Sequence, residues 1–159
     1  IGLLVLIQSI SNQIDLPIVA AGGIVDGKGM ASVFAAGAEG IQMGTRFVSS
    51  AESPVHSNFK DTIVNSSIDG TLILNKKSKP VIRALKTELT EKIDQIGEMD
   101  MSALMKIKEL YFDGDMNAAP ALSGQSVGLI DKVKNVKDII DETINEFNKV
   151  CKDMGQIKF

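Results

Sequence analysis

Apolar residues in the first 44 positions follow two different spacings. Between Leu3 and Ile14, apolar residues recur every three or four positions, which predicts a helix that ends near residues 12–14. A continuous apolar run then follows Pro17 and stops at two glycines. A run bounded in this way is typical of a strand in a parallel sheet that is covered on both faces. We therefore predict a helix and then a buried strand over residues 18–21.

A second helix and a second strand follow at once. Asp26 is a good helix N-cap, and the Ala-rich segment behind it reaches about Ala36, where Gly37 suits a left-handed helix end. The next short strand covers residues 39–43, with a turn at residues 44–45. A strand, a helix and a strand this close together predict a βαβ unit with parallel strands.

The remaining two thirds of the chain are amphipathic, and the spacing of their apolar residues predicts mostly helix. Pro80 can occupy the first position of a helix whose apolar face runs from Ile82 to Ile96. The same spacing predicts helices over residues 102–112 and 131–150.

The composition mainly excludes certain classes of function and site. Seventeen Lys and Arg against 20 Asp and Glu give a net charge of −3, so the cationic excess of a nucleic-acid-binding surface is missing. No apolar run approaches the ~20 residues that a membrane span needs, and no targeting signal is visible. The single cysteine, Cys151, excludes an internal disulfide and a thiolate-cluster metal site. We expect a cytoplasmic protein with a small-molecule substrate and no metal, nucleic-acid or membrane partner.

Two glycine turns follow the two predicted strands: Gly22 and Gly23 after the first, and Gly44 and Thr45 after the second. In a (β/α)₈ barrel the loops after the last two strands commonly bind a phosphate. Glycine lets backbone N–H groups reach phosphate oxygens, the threonine hydroxyl adds a donor, and a helix that begins after such a turn adds its positive end. The turns therefore predict a phosphate site, with ordinary tight turns of a parallel sheet as the alternative.

Other polar residues give weaker signals. His56, the single histidine, is a general base or a ligand contact, or else a polar residue at a helix start after Pro54, which we favour. Arg46 either neutralises a phosphate or pairs with Glu52. The dinucleotide fingerprint G-x-G-x-x-G and the P-loop G-K-[ST] do not occur in the sequence.

Longer motifs stand on both glycine turns in order, and further matching segments extend to residue 130. The segments are residues 17–24, 26–27, 37–47, 52–56, 58–60, 83–86, 114–115 and 123–130. Together they resemble the nitronate monooxygenase family, which includes the FMN-dependent enoyl-acyl-carrier-protein reductase II. The resemblance spans nearly the whole chain.

The resemblance implies an FMN-dependent oxidoreductase whose fold is α/β. Because residue 1 is Ile and the first residues are apolar, we expect the C-terminal part of a longer chain. Residues 1–65 would hold strands 7 and 8 of a TIM (β/α)₈ barrel, 66–130 a mostly helical extra region, and 131–159 a C-terminal helix that returns to the barrel. The implied cofactor-binding residues are Gly22, Gly23, Gln42, Met43, Gly44 and Thr45, and the implied flavin-proximal residues are Ser123, Gly124 and Gln125.

No catalytic residue of the family can be carried onto this chain. The family places an asparagine and a glutamine on early strands and a histidine before the Gly-rich turn of the sixth strand, and His56 does not match that motif. We therefore expect this chain to be inactive alone. We also expect Ile18, Val19, Ile41 and Met43 to form an exposed apolar surface.

The resemblance leaves the reaction open. Our first hypothesis is the oxidation of alkyl nitronates with dioxygen. The second is an enoyl reductase with NAD(P)H as electron donor, which residues 55–60 and 83–86 resemble somewhat more, and which Ser123, in place of the usual Ala, resembles less. A non-flavin phosphate-binding TIM-barrel enzyme and an inert piece or interaction module are the further alternatives. A homodimer is left open.

Overall fold

The computed structural model describes residues 1–157 of an α/β chain that divides into two compact units. Unit 1 contains residues 1–44 and the residues from 134 onward, and unit 2 contains residues 45–133. The three predicted segments, 1–65, 66–130 and 131–159, stay a prediction. The last two residues of the third segment lie outside the described residues.

Unit 1 opens with the predicted order of helix, strand, helix and strand, which is confirmed. The two strands pair in parallel, so the prediction of a βαβ unit is confirmed as well. Asp26 caps the second helix as expected, since its carboxylate accepts a hydrogen bond from the Gly29 N–H at 2.8 Å. The elements are α1 (Leu3–Ser11), β1 (Val19–Ala21), α2 (Gly27–Ala35) and β2 (Gly40–Gln42).

Helices cover one face of the sheet of unit 1, and the other face is exposed. Ala20 of β1 lies opposite Ile41 of β2, on the face that packs against α1 and α2. Val19 points the other way and is 61% exposed. The expected apolar surface is therefore confirmed for Val19 and wrong for Ile18, Ile41 and Met43, which pack into the core of unit 1. The reason is that successive side chains of a strand point to opposite faces.

Helix α6 (Val136–Met154) completes unit 1 by packing on α2. The predicted start at residue 131 is wrong: the apolar spacing extends beyond the helix, but the backbone of Asn135 is extended (φ −66°, ψ 150°), so the helix begins only after it. The rings of Phe34 and Phe147 meet edge to face at 5.2 Å. Ile139 is buried on the inner face of α6.

Unit 2 contains an antiparallel hairpin in a part of the chain where the sequence predicts mostly helix. The helix predicted from Pro80 is wrong in its first half. There, β4 (Ile82–Leu85) pairs with β3 (Thr71–Leu74), and α5 (Glu88–Ile96) begins only after β4 has ended. The spacing of Ile82 and Leu85 fits a helix as well as a short strand. Pairing with β3, which is rich in strand-forming residues, decides between them.

The remaining elements of unit 2 are short. They include α3 (Thr45–Val48) and α4 (Ser57–Val64). The single helix predicted over residues 102–112 is wrong: a 3₁₀ helix at Met101–Lys106 is followed by a π-helical turn at Glu109–Asp113. Apolar spacing fixes which side chains point inward, such as the fully buried Leu110, but not the hydrogen-bond pattern of the backbone. Gln125–Leu129 forms another 3₁₀ helix.

Candidate functional site

The two glycine turns lie at one edge of the parallel sheet of unit 1. β1 and β2 are neighbours, and Ala21 lies opposite Gln42 at their carboxyl ends. Gly22 therefore leaves the sheet beside the segment that starts at Met43. Such an edge of a parallel sheet is where α/β proteins usually bind ligands.

The first turn presents a free backbone donor in a conformation that requires glycine. Gly22 and Gly23 have φ angles of +111° and +71°, which L side chains rarely adopt. A Cβ at either residue would have no atom within 4 Å. The register that pairs Ala21 with Gln42 directs the Gly22 N–H toward the Gln42 carbonyl, whereas among residues 1–157 none accepts a hydrogen bond from the Gly23 N–H. This open turn can therefore donate the Gly23 N–H to an anion.

The second turn is equally open at one residue. Gly44 is exposed, a Cβ there would meet nothing within 4 Å, and no described residue accepts a hydrogen bond from its N–H. Gln42 is exposed on the open face of the sheet, whereas the Met43 side chain packs into the core of unit 1. Met43 can thus contribute only its backbone to a ligand at this edge.

The N-terminus of α2, whose positive end we expect to add to the site, is partly occupied by acidic side chains of the chain itself. Two carboxylates already bind its N–H groups: Asp26 binds Gly29, and Glu146 of α6 accepts a hydrogen bond from the Gly27 N–H at 2.9 Å. The donors that fit a phosphate are therefore the glycine N–H groups of the turns. Sequence reasoning missed Glu146, since a glutamate on an amphipathic helix is usually solvated. A glycine directly behind an N-cap, as at Gly27, was the one local sign of a close contact.

In unit 2, Thr45 and Gly124 are in direct contact. The Thr45 hydroxyl oxygen accepts a hydrogen bond from the Gly124 N–H at 3.0 Å, so its hydrogen is available to another acceptor. Ser123 is buried and donates to the Leu122 carbonyl at 2.8 Å. Gln125 is exposed at the start of a 3₁₀ helix. Of the segment 123–125, the structure thus ties only Gly124 to a predicted phosphate-binding residue.

His56 has the role of a helix cap, as we favoured. Its Nδ1 accepts a hydrogen bond from the Asn58 N–H at 3.1 Å, which satisfies a free donor of the first turn of α4. The imidazole packs directly on Gly114, where a Cβ would lie 2.3 Å from Nδ1. Arg46 is 5% exposed and donates from Nη1 to the Lys132 carbonyl at 3.0 Å. Both side chains thus make contacts that organise unit 2.

Other features of the described residues do not mark a second reaction centre. An open groove of about 610 Å³ in unit 2 is lined by polar groups that bond within their own helix, such as Thr62 to the Asn58 carbonyl and Ser66 to the Thr62 carbonyl. Residues 1–157 contain no group of three or more His, Cys, Asp or Glu that could hold a metal ion. None of the helices described is long and apolar enough to cross a membrane.

Two solved structures share the α/β fold. FabK from Thermotoga maritima superimposes with a TM-score of 0.92 and 37% identity, covering 99% of this chain and 52% of that chain. A nitroalkane oxidase from Streptomyces ansochromogenes gives a TM-score of 0.82 at 22% identity, covering 97% of this chain and 46% of that chain, and this likeness shows the fold alone.

The sequence comparisons name a family. A probable nitronate monooxygenase from Staphylococcus aureus (strain MSSA476) is 30% identical over 158 residues, which cover 94% of this chain and 44% of that protein. The chain thus spans about half the length of these relatives. The nitronate monooxygenase family model matches residues 1–146. Since that match covers most of the sequence, the chain belongs to the nitronate monooxygenase family.

Proposed function

We propose that this chain is part of an FMN-dependent oxidoreductase and that the glycine turns of unit 1 bind the FMN phosphate. The observation that carries the proposal is the pair of backbone N–H groups, at Gly23 and Gly44, that have no acceptor among the described residues and belong to turns where a Cβ would meet nothing within 4 Å. A phosphate needs several such donors within hydrogen-bond distance. Gln42 and the backbone of Met43 border the second turn.

The described residues would bind and orient the cofactor. The glycine N–H groups would neutralise phosphate charge, and the Thr45 hydroxyl, fixed by the Gly124 N–H, would add a donor directly after Gly44 in the chain. Ser123 and Gln125 flank Gly124, and we keep them as proposed flavin-proximal residues. FMN itself would supply the ring that accepts and donates electrons. We assign no catalytic residue to this chain and propose that it is inactive alone.

The first candidate reaction is the oxidation of an alkyl nitronate with dioxygen. It is supported by the family match and by the name of the Staphylococcus aureus relative. A nitronate is an electron-rich anion, so an oxidising ring held in a fixed position is the main requirement. We further propose a cytoplasmic enzyme with a small-molecule substrate, and leave the homodimer to a sedimentation measurement.

The second candidate is reduction of an enoyl thioester with NAD(P)H, as in enoyl-acyl-carrier-protein reductase II. The specific observation in its favour is the 37% identity with FabK over 99% of this chain, higher than the 30% with the nitronate monooxygenase relative. The two candidate reactions share the proposed phosphate site and differ in the substrate that reacts at the flavin ring.

The experiment uses the purified full-length protein that carries this sequence. We expect a yellow protein that releases FMN on denaturation and shows one of two activities: oxygen uptake with a propyl nitronate, or oxidation of NADH or NADPH with crotonyl coenzyme A. Nitronate turnover without thioester reduction supports the first candidate, and the reverse supports the second. A colourless protein that binds sugar phosphates but no flavin would exclude both and favour the non-flavin barrel.

A further inference from the structure

The C-terminal helix α6 binds the first turn of α2 through one carboxylate. Glu146 Oε2 accepts a hydrogen bond from the Gly27 N–H at 2.9 Å, and its Oε1 lies 3.8 Å from Lys28 Nζ. The two residues of the hydrogen bond are 119 positions apart in the sequence. The lysine is largely exposed, so its ion pair adds little, and the contact depends on the half-buried hydrogen bond.

The backbones of α2 and α6 approach more closely here than a side chain would allow. A Cβ on Gly27 would lie 2.3 Å from the Phe147 nitrogen and 2.5 Å from the Thr143 oxygen, and both of these atoms are backbone. Gly27 is buried, as is Thr143. Glu146 therefore acts at a point where the backbones of the two helices are in close contact.

The first turn of α2 is connected to the phosphate turn by a short, fixed segment. Only three residues separate Gly23 from Gly27, and two of them, Ile24 and Val25, are buried in unit 1. The third, Asp26, is fixed by its hydrogen bond to the Gly29 N–H. A displacement of the first turn of α2 would therefore be passed on to the Gly22–Gly23 turn.

We propose that Glu146 is a positioning residue for the phosphate turn, holding the first turn of α2 so that the Gly22–Gly23 turn keeps the Gly23 N–H in the orientation that a phosphate monoester requires. This inference rests on the proposed FMN site. It gives the C-terminal helix a role in cofactor retention, although Glu146 itself does not touch the cofactor.

The test compares FMN with riboflavin, which has the same ring and no phosphate, in the flavin-free full-length protein. We expect Glu146→Ala to weaken FMN binding about tenfold, the effect of one lost buried hydrogen bond, and to leave riboflavin binding within a factor of about two. Glu146→Gln keeps an acceptor for the Gly27 N–H and should bind FMN like the wild type. Asn145→Ala, on the exposed side of α6, is the matched control.

Hydrogen exchange gives a readout without any cofactor. The Gly27 amide should exchange faster in Glu146→Ala and at the wild-type rate in Glu146→Gln. If Glu146→Ala does not fold, Glu146→Asp, which shortens the reach of the carboxylate, should give a smaller loss of FMN affinity in the same direction.

The outcomes distinguish a failure of the inference about Glu146 from a failure of the proposed FMN site. A wild-type protein that binds riboflavin as tightly as FMN would overturn the phosphate site and the inference together. A wild type that prefers FMN, with Glu146→Ala losing both flavins equally or neither, would overturn the role of Glu146 alone. Equal losses in Glu146→Gln and Glu146→Ala would also overturn it, because charge rather than the hydrogen bond would then be responsible.

Discussion

The glycines at the sheet edge of unit 1 and the glycine beside His56 in unit 2 have opposite surroundings. At the sheet edge of unit 1, Gly22, Gly23 and Gly44 face open space, and a Cβ on any of them would meet nothing within 4 Å. In unit 2, Gly114 lies under the imidazole of His56, where a Cβ would meet three ring atoms within 2.6 Å. Glycines of identical chemistry thus differ in what surrounds them: open space at the sheet edge and a neighbouring side chain at Gly114. The comparison predicts that substitutions will separate binding from stability.

The largest effect should come from Gly114→Ala. Gly114 has a φ of +77°, so the new methyl group costs backbone strain as well as a clash with His56. We expect the free energy of unfolding to fall by about 3 kcal/mol, measured by urea denaturation. Gly155→Ala, whose Cβ would meet only ordinary contacts at 3.5 Å, is the control and should change little.

A double variant separates the backbone strain at Gly114 from the steric clash with His56. In a His56→Ala background the imidazole is gone, so Gly114→Ala should cost only the left-handed backbone strain of about 1–2 kcal/mol. Strict additivity of the two substitutions would contradict the crowding that we describe at Gly114.

Gly44→Ala should show the reverse behaviour. Gly44 does not have a left-handed φ and its surroundings are open, so the unfolding free energy should stay within about 0.5 kcal/mol of the wild type. If the turn binds the FMN phosphate, the methyl group holds the backbone away and FMN affinity should fall about tenfold, with riboflavin affinity unchanged. Fluorescence titration of the flavin-free full-length protein measures both. An alanine variant with unaltered FMN affinity would remove Gly44 from the proposed site.

His56 sharpens the unit 2 side of the comparison. Because its Nδ1 caps α4, His56→Ala should lower the unfolding free energy by about 1 kcal/mol. His56→Asn, which places another good cap there, should recover most of the loss, and thermal unfolding of both variants gives the answer. A large drop in turnover for His56→Asn at unchanged stability would speak against a purely structural histidine.

The βαβ unit could be predicted because its signals are local. The apolar run at residues 18–21, the N-cap Asp26 and the glycines that end each strand lie within a few residues of the elements they define. The same local signals predicted the two open turns. Family resemblance then added residues such as Gln42, which no spacing argument would select.

The hairpin and Glu146 could not be predicted, because both depend on distant parts of the chain. Ile82 and Leu85 satisfy a helical spacing, and only pairing with Thr71–Leu74 makes them a strand. Glu146 resembles any charged residue on an amphipathic helix until the fold brings it to Gly27. Where one partner alone carries no distinctive pattern, sequence spacing cannot reveal the contact.

The smallest effect concerns Tyr111, whose ring stacks on Phe59 at 5.5 Å in the same crowded part of unit 2. Burial raises the pKa of the Tyr111 phenol above its ordinary value of 10.0, since the charged form is poorly solvated there. The contribution to stability is therefore present below about pH 10 and is lost as the pH rises from the unfolded-state pKa toward the folded-state pKa. Tyr111→Phe keeps the stacking and removes the titration, so the two proteins should unfold alike at pH 7. Above pH 10 the wild type should lose stability faster, as urea denaturation across this pH range would show. Parallel pH profiles would mean that the Tyr111 hydroxyl is solvated, and that the packing around Gly114 and His56 does not extend to it.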